Sequence, residues 1–393
     1  MNVGFITVHR APNYGAMLQC FALQQYIEGM GHECKVIDLL RPYHEGFVHT
    51  EGFEPFDAKK IHKSFVGEIR KFIGHYLHRY ETNNKKFAKV YKESLERRQE
   101  LFDAFDKRIT YTKQYKSIGE LYANPPQFDV YITGSDQLWN PTQPYCIEPY
   151  FLTFVKNGAK KISYATSIGL SSLPNSINQQ YIKWLNDYDY ISVREQEAVN
   201  MLSKGVSKTI HKVVDPTLLM GKQFWERLAV VKPEFAHEKY VFCFTLSYLS
   251  ELHSYLKKYA KDKGMKYVYI VHAFQDAPYT NKDKNVIGLI DISPEEWLGL
   301  IQNAEEIFTN SFHGTVFSLI FEKKFFSYIP SNNKRGSRIV NLLEMIKLKN
   351  HIIYDIKNFI PQEESINYVV VNKILQEERK KGEAFLTLAL NNK

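Results

Sequence analysis

Four cysteines in 393 residues, at positions 20, 34, 146 and 243, form no CxxC pair and no cysteine and histidine cluster at zinc spacing. A disulfide framework and a structural zinc are therefore not expected, and the thiols read as free and buried. No G-x-G-x-x-G follows the first strand-like run, where Gly15 stands alone, and no P-loop pattern occurs anywhere. Both absences make classical dinucleotide binding an unexpected function. No stretch approaches the roughly 18 uninterrupted apolar residues of a membrane span, and the first residues enter a strand pattern without a basic leader or apolar h-region. The expectation is a cytoplasmic protein. Internal repeats and low-complexity tracts are also missing. Asp187-Tyr188-Asp189 has the DxD spacing of a metal site, but it precedes a strand instead of following one, so no metal site is expected.

What is present is a globular composition, 44% hydrophobic and 24% charged, in a chain long enough for two cores, since single cores stop growing near roughly 250 to 300 residues. Strand and helix patterns alternate from the start. Val3 to Val8 reads as a strand, Ala16 to Gly29 as an amphipathic helix and Cys34 to Leu40 as the next strand, which together make a βαβ unit. Strand patterns ending at Thr133, Ala165, Val193 and Val214 continue the rhythm, and it restarts at Tyr240 after a polar stretch. The expected fold is α/β with two Rossmann-type domains whose loop edges face each other across a cleft. The N-terminal domain covers residues 1–222, with a basic helical insertion at about 57–120. A second domain covers 238–355, and a helical tail, 356–393, is expected to pack back on the first domain.

Two polar segments stand where open α/β sheets bind ligands, each at a strand's C-terminal end and leading into a helix. The first is Asn13-Tyr14-Gly15, which offers an amide, a phenol and a helix N-terminus; capping the first helix is the plainer reading. The second is Asn310-Ser311-Phe312-His313-Gly314-Thr315, in which Asn310 or Ser311 can cap a helix and His313 can exchange a proton near neutral pH. Downstream, Lys334, Arg335 and Arg338 place three cations near a possible anion site. Arg194 ends a buried strand, where it either faces a ligand or pairs with Glu195 or Asp215.

The net charge of +8 is concentrated. Between Lys59 and Glu100 there are 12 Lys and Arg against 5 Glu and no Asp. Phe65, Ile69, Phe72, Ile73, Tyr76, Leu77 and Tyr80 recur at helical spacing in the same stretch, so an amphipathic helix with basic flanks is expected. It reads first as a packed helical elaboration and, in a bolder reading, as a surface for an anionic membrane leaflet. No nucleic-acid-binding signature accompanies it.

The segments Asn13-Tyr14-Gly15-Ala16-x-Leu18-Gln19, Thr133-Gly134-Ser135-Asp136-Gln137-Leu138-Trp139-Asn140, Tyr164-Ala165-Thr166-Ser167-Ile168-Gly169, Ser192-Val193-Arg194-Glu195, Val214-Asp215-Pro216-Thr217 and Ser311-Phe312-His313-Gly314-Thr315 together resemble the polysaccharide pyruvyl transferase family. The resemblance implies a GT-B-like fold and transfer of pyruvate from phosphoenolpyruvate, a co-substrate, to a cell-surface glycan or its lipid-linked precursor as a cyclic ketal, with no metal or cofactor. By position it makes His313 the general acid or base, with Asp136 as the accompanying carboxylate, and Arg194 an arginine facing the donor. Asn310, Ser311, Gly314, Thr315, Lys334, Arg335 and Arg338 then fall on the donor side, and Asn13, Tyr14, Gly15, Gln19, Ser135, Asp136 and Trp139 on the acceptor side. Some members carry an arginine where Ser311 stands, so the donor's anionic groups pass to Lys334, Arg335 or Arg338. The implied partners are phosphoenolpyruvate and a saccharide that is polyprenyl-diphosphate-linked in one reading; the basic stretch adds, as further readings, the inner face of the plasma membrane and a second copy of the chain. Alternative readings are a GT-B glycosyltransferase with a nucleotide-sugar donor and a non-catalytic glycan-binding assembly component.

Overall fold

The computed structural model describes residues 1–42, 44–53, 85–143, 146–156, 158–272, 283–330, 336–361 and 364–391. The chain divides into two compact units: the first takes residues 1–68, 106–220 and 375–393, the second 69–105 and 221–374.

In the first unit, strands β1 (Asn2–Ile6), β2 (Glu33–Val36), β3 (Val130–Thr133) and β4 (Lys160–Ser163) form a parallel sheet in the order β2-β1-β3-β4. Parallel neighbours require crossover connections, and helix α1 (Tyr14–Gly29) makes the first of them. Every side chain of β3 is buried, as expected of a strand covered on both faces. Strands β5 (Ile191–Val193) and β6 (Ile210–Lys212) pair with each other and continue the sheet beyond β4 through Ser163 N to Tyr190 O at 3.0 Å and Arg194 N to Thr166 O at 3.3 Å. On the opposite edge the 110–115 segment runs parallel to the chain at β2, through the pairs Val36–Tyr111 and Leu39–Tyr115.

The seam between β4 and β5 is closed partly by side chains. Ser163 Oγ donates to Ser192 O and accepts from Ser192 N, while Ser192 Oγ donates to Ser163 O and accepts from Ala165 N, at 2.8 to 3.2 Å. Both serines are fully buried.

The second unit repeats the plan. Strands β7 (Tyr240–Phe244), β8 (Lys266–Ile270), β9 (Val286–Leu289), β10 (Glu306–Thr309), β11 (Lys324–Tyr328) and β12 (Ile352–Ile353) are all parallel, in the order β12-β11-β10-β7-β8-β9. Counted within the unit this is 3-2-1-4-5-6, the order of Rossmann folds, and the first unit matches it once the 110–115 segment is included. The alternation read from the sequence is the alternation observed.

Helix α2 (Lys85–Asp106) belongs, up to Phe105, to the second unit, although the basic segment reads from sequence as an elaboration of the first. The cause is its apolar face. Tyr91 packs into the core with Val241, Tyr269 and Phe308, and Arg97 pairs with Asp291 at 2.8 Å. The aromatic stripe Phe65 to Tyr80 and the cations Lys63, Arg70, Lys71 and Arg79 lie outside the described residues. No described helix is long and apolar enough to cross a membrane.

The serine seam is directly testable. Ser163→Ala strips partners from a buried amide and a buried carbonyl, each loss costing about 1 to 3 kcal/mol. Urea unfolding should show the first unit destabilised on that scale, and an unchanged midpoint would mean that the hydroxyls do not close the ladder.

Candidate functional site

In the second unit the crossovers diverge between β7 and β10, which leaves a crevice at the C-terminal ends of those strands. Thr309 Oγ1 donates to Phe244 O at 2.6 Å and accepts from Ser311 N at 3.0 Å, and Asn310 Oδ1 accepts Leu246 N at 2.7 Å, so the turn after β10 is tied to the end of β7. Ser311 caps helix α10 (Phe312–Ile320) by accepting Gly314 N at 3.3 Å. Thr315 Oγ1 donates to Ser311 O at 3.1 Å and meets Ser327 at 2.8 Å. A Cβ at Gly314 would run into Thr309 Oγ1, so only glycine lets α10 start this close to β10. Asn310, Ser311, Gly314 and Thr315 therefore build the turn, and His313 is the chemical group that it presents. The His313 ring lies 5.3 Å from Phe312 and nearly perpendicular to it, and the Arg338 guanidinium, from helix α11 (Ser337–Met345), sits 5.6 Å above Phe312. Lys334 and Arg335 lie outside the described residues.

The equivalent crevice of the first unit lies between β1 and β3. Thr7 Oγ1 donates to Ser135 O at 2.9 Å, and Gln19, fully buried, donates to Thr7 Oγ1, Val8 O and Ala16 O. Asp136 follows β3 with φ +76°, a strained conformation for a non-glycine residue, and its Oδ1 accepts Gln137 N at 2.8 Å. Arg194 is buried beside it: Nη1 reaches Asp215 at 2.6 Å, Nε reaches Glu195 at 3.4 Å, and Nη2 lies 3.8 Å from Asp136. Ser135 Oγ also donates to Asp215, at 3.0 Å, and Thr217 caps the other Asp215 oxygen at 2.7 Å.

Three carboxylates around one guanidinium make Arg194 the centre of an internal ion network, not a cation turned to an anionic donor. Trp139 is likewise moved inward: its indole is fully buried, stacks on Phe151 and donates to Tyr150 O at 3.0 Å. Asn13 is the N-cap of α1, accepting Ala16 N at 3.1 Å, and Tyr14 and Gly15 are buried in its first turn. Tyr14, Gln19, Trp139 and Ser135 thus shape the crevice from behind, whereas Asp136 keeps a partly exposed carboxylate at its edge.

A cluster that the sequence reading missed supports the loop before α1. Arg10 bridges Asp38, at 3.0 Å to each oxygen, and Asp106, at 2.9 Å, and lies 4.4 Å over the Tyr111 ring. Both ring nitrogens of His9 face acceptors, Thr7 O at 2.9 Å and Asp38 Oδ1 at 3.0 Å. Burial pushes the Asp38 carboxyl up, but the hydrogen bonds from His9 and Arg10 outweigh it and hold the group below the ordinary carboxylate range. The only sequence signal was a charged pair, His9-Arg10, directly after an apolar strand. Among the described residues no group of His, Cys, Asp or Glu is placed to hold a metal ion.

A model of the family described as polysaccharide pyruvyl transferase matches residues 13–332, most of the chain and both crevices. The chain belongs to that family. It is therefore an enzyme, a pyruvyl transferase of polysaccharide biosynthesis. No curated protein matches its sequence. Among solved structures, the UDP-GlcNAc 2-epimerase of Methanocaldococcus jannaschii, in complex with UDP-GlcNAc and UDP, has a TM-score of 0.53 at 12% identity, with 100% of each chain covered. The glycotransferase of kitacinnamycin has a TM-score of 0.50 at 12% identity, with 98% of each chain covered. At such identities the likeness is one of fold, and the fold is GT-B.

Two outcomes follow for the transferase's first unit. Arg194→Met leaves Asp215 and Glu195 buried without their cation and should cost about 3 to 5 kcal/mol of stability by denaturant unfolding. Wild-type stability combined with a raised donor Michaelis constant would return Arg194 to the donor. Because the folded Asp38 pKa lies below the unfolded value of about 3.9, its stabilisation is present above that value and lost as pH falls through the folded one. The gap in unfolding free energy between wild type and Asp38→Asn should narrow as pH falls below about 4 and Asp38 takes up its proton.

Proposed function

We propose that the enzyme takes pyruvate from phosphoenolpyruvate and closes it as a cyclic ketal across two hydroxyls of a saccharide in a cell-surface polysaccharide or its lipid-linked precursor. The observation that carries the reading is His313, held by Ser311, Gly314 and Thr315 on the first turn of α10 at the crevice of a Rossmann sheet. A helix N-terminus favours an anion, and a histidine beside a bound enol phosphate is a proton donor in the right place.

The chemistry starts with the enol π pair. It takes a proton from His313 onto the methylene carbon, and positive charge develops at C2. A sugar hydroxyl adds there, the C2–O bond to phosphate breaks, and the second hydroxyl closes the ring at C2. Two hydroxyl protons are released: one replaces the proton now in the methyl group, and the other leaves on the phosphate. Charge and atoms balance, since a trianionic donor becomes a ketal carboxylate and hydrogen phosphate. The Asp136 carboxylate, kept in place by Arg194 and its own turn, supplies the acceptor with a hydrogen-bond partner for a hydroxyl. Arg338 beside Phe312 and His313 supplies a cation for the donor.

The test is phosphate release from phosphoenolpyruvate in the presence of a panel of lipid-linked saccharides. His313→Gln should lower kcat by about 100- to 10,000-fold in a folded protein. The reading fails if the folded variant retains wild-type turnover, or if the wild type ignores phosphoenolpyruvate and binds a uridine or guanosine nucleotide instead. Incubation with a chelator should leave the rate unchanged, and restoration of a lost rate by added magnesium or manganese would overturn the metal-free scheme.

A further inference from the structure

The donor edge of the second unit carries a second imidazole for which the scheme above has no use. β8 and β10 lie on either side of β7, so their C-terminal ends are two strand spacings, roughly 10 Å, apart. His313 follows β10, and His272 follows β8. Between them sits Phe244, whose ring centroid is 6.5 Å from that of His272 and whose Cδ1 is 3.3 Å from the position a Cβ would take on Gly314. His272 hydrogen-bonds the backbone of Thr245, while its Nε2 is buried and has no hydrogen-bond partner. The nitrogen that binds the Thr245 carbonyl is therefore Nδ1, and Nε2 has no hydrogen-bond partner among the described residues. A buried polar atom in that position costs stability unless a ligand completes it.

The charged group that acts most on His272 is Arg98 of α2, whose guanidinium lies 5.6 Å over the Phe102 ring and whose neighbour Arg97 ties the helix to Asp291, just beyond the end of β9, at 2.8 Å. The edge thus has cations on two flanks: Arg338 over the Phe312 ring, and Arg98 within electrostatic reach of His272. A donor with a carboxylate at C1 and a phosphate on the oxygen of the neighbouring C2 offers one anionic group to each flank.

We propose that Arg98 and His272 form the phosphate-binding half of the donor site, with Arg98 donating to phosphate oxygens and His272 Nε2 donating once protonated, while Arg338 takes the carboxylate. This assignment rests on the donor being phosphoenolpyruvate. Burial and the Arg98 charge push His272 down to about 4 in the free protein, so the ring is neutral at pH 7. His253, from helix α8 (Ser250–Asp262), also faces His272 and is itself pushed down to about 4 by burial and Lys257, so it adds no charge at pH 7. A phosphate dianion on Arg98 cancels the repulsive part of that depression and adds an attractive one. His272 then takes a proton from solvent as the ligand binds. The dianionic phosphate is the better match for this flank, because a monoanionic carboxylate offers half the charge to offset the burial.

Calorimetry with inorganic phosphate and with pyruvate, in two buffers of different ionisation enthalpy near pH 7, separates the two flanks without turnover. Arg98→Gln should weaken phosphate binding about tenfold or more, and His272→Gln should weaken it less but abolish the part of the proton uptake that exceeds the phosphate's own. Arg338→Gln should leave phosphate affinity within about twofold and weaken pyruvate. The assignment is overturned if Arg98→Gln and His272→Gln bind phosphate as the wild type does, if Arg338→Gln alone loses phosphate, or if the wild type binds no phosphate. Should His272→Gln not fold, Arg98→Gln and the wild-type proton uptake still decide. If phosphate binds as described while phosphoenolpyruvate is not turned over with any saccharide, the proposed reaction fails and the phosphate site stands.

Discussion

A threonine hydroxyl bonded across the two central strands of each sheet is the interaction on which the rest depends. In the first unit Thr7 Oγ1 reaches Ser135 O, and in the second Thr309 Oγ1 reaches Phe244 O. At both places the crossovers leave in opposite directions, so no helix covers the strand ends and the exposed backbone must be satisfied by side chains. Each threonine also faces a glycine. A Cβ on Gly134 would come within 2.9 Å of Thr7 Cβ, and one on Gly314 would strike Thr309 Oγ1. The close approach turns a gap between strands into a rigid floor on which Asp136 and His313 stand.

Charge is handled differently on the two floors. In the first unit it is spent internally: Arg194 holds Asp215, Glu195 and Asp136, and Arg10 holds Asp38 and Asp106. Networks of this kind fix geometry more than they add stability, because desolvation offsets much of the attraction. In the second unit Arg98 and Arg338 stand beside aromatic rings, Phe102 and Phe312, arrangements that hold a guanidinium in place while leaving its N–H edge oriented. The first floor thus presents hydroxyl-bearing turns with one partly exposed carboxylate, Asp136, and the second presents cations backed by aromatic rings.

Much of this was legible before the structure. The α/β alternation could be read because parallel strands buried on both faces, such as Val130 to Thr133 and Tyr240 to Phe244, are short unbroken apolar runs that end in polar turns. The position of His313 on a helix's first turn could be read because cap, histidine and glycine stand within four residues, Ser311 to Gly314. His272 and Arg98 could not: the first matters only because β8 pairs with β7, and the second only because α2 packs on the second unit, and neither is a local property. Trp139 was misplaced for a related reason. It shares a segment with Asp136, but three residues further along a tight turn its side chain enters the core. Arg194 could be narrowed to two roles from sequence, and the choice needed the position of Asp215, 21 residues away.

The two units are interleaved along the chain. Tyr91 and Arg98 precede most of the first unit, yet they pack on and arm the second, and residues 375–393 complete the first unit after the second has been written. A fragment starting at residue 221 would leave the core around Val241 and Tyr269 without Tyr91, and one ending at 220 would lack the closing helical turns that place Gly382 against Tyr164. On the ribosome the second core can close as residues 221–374 emerge, because residues 69–105 are already out. The first must wait for residues 375–393, so the second unit can close before the first, the reverse of the usual N-terminal-first order.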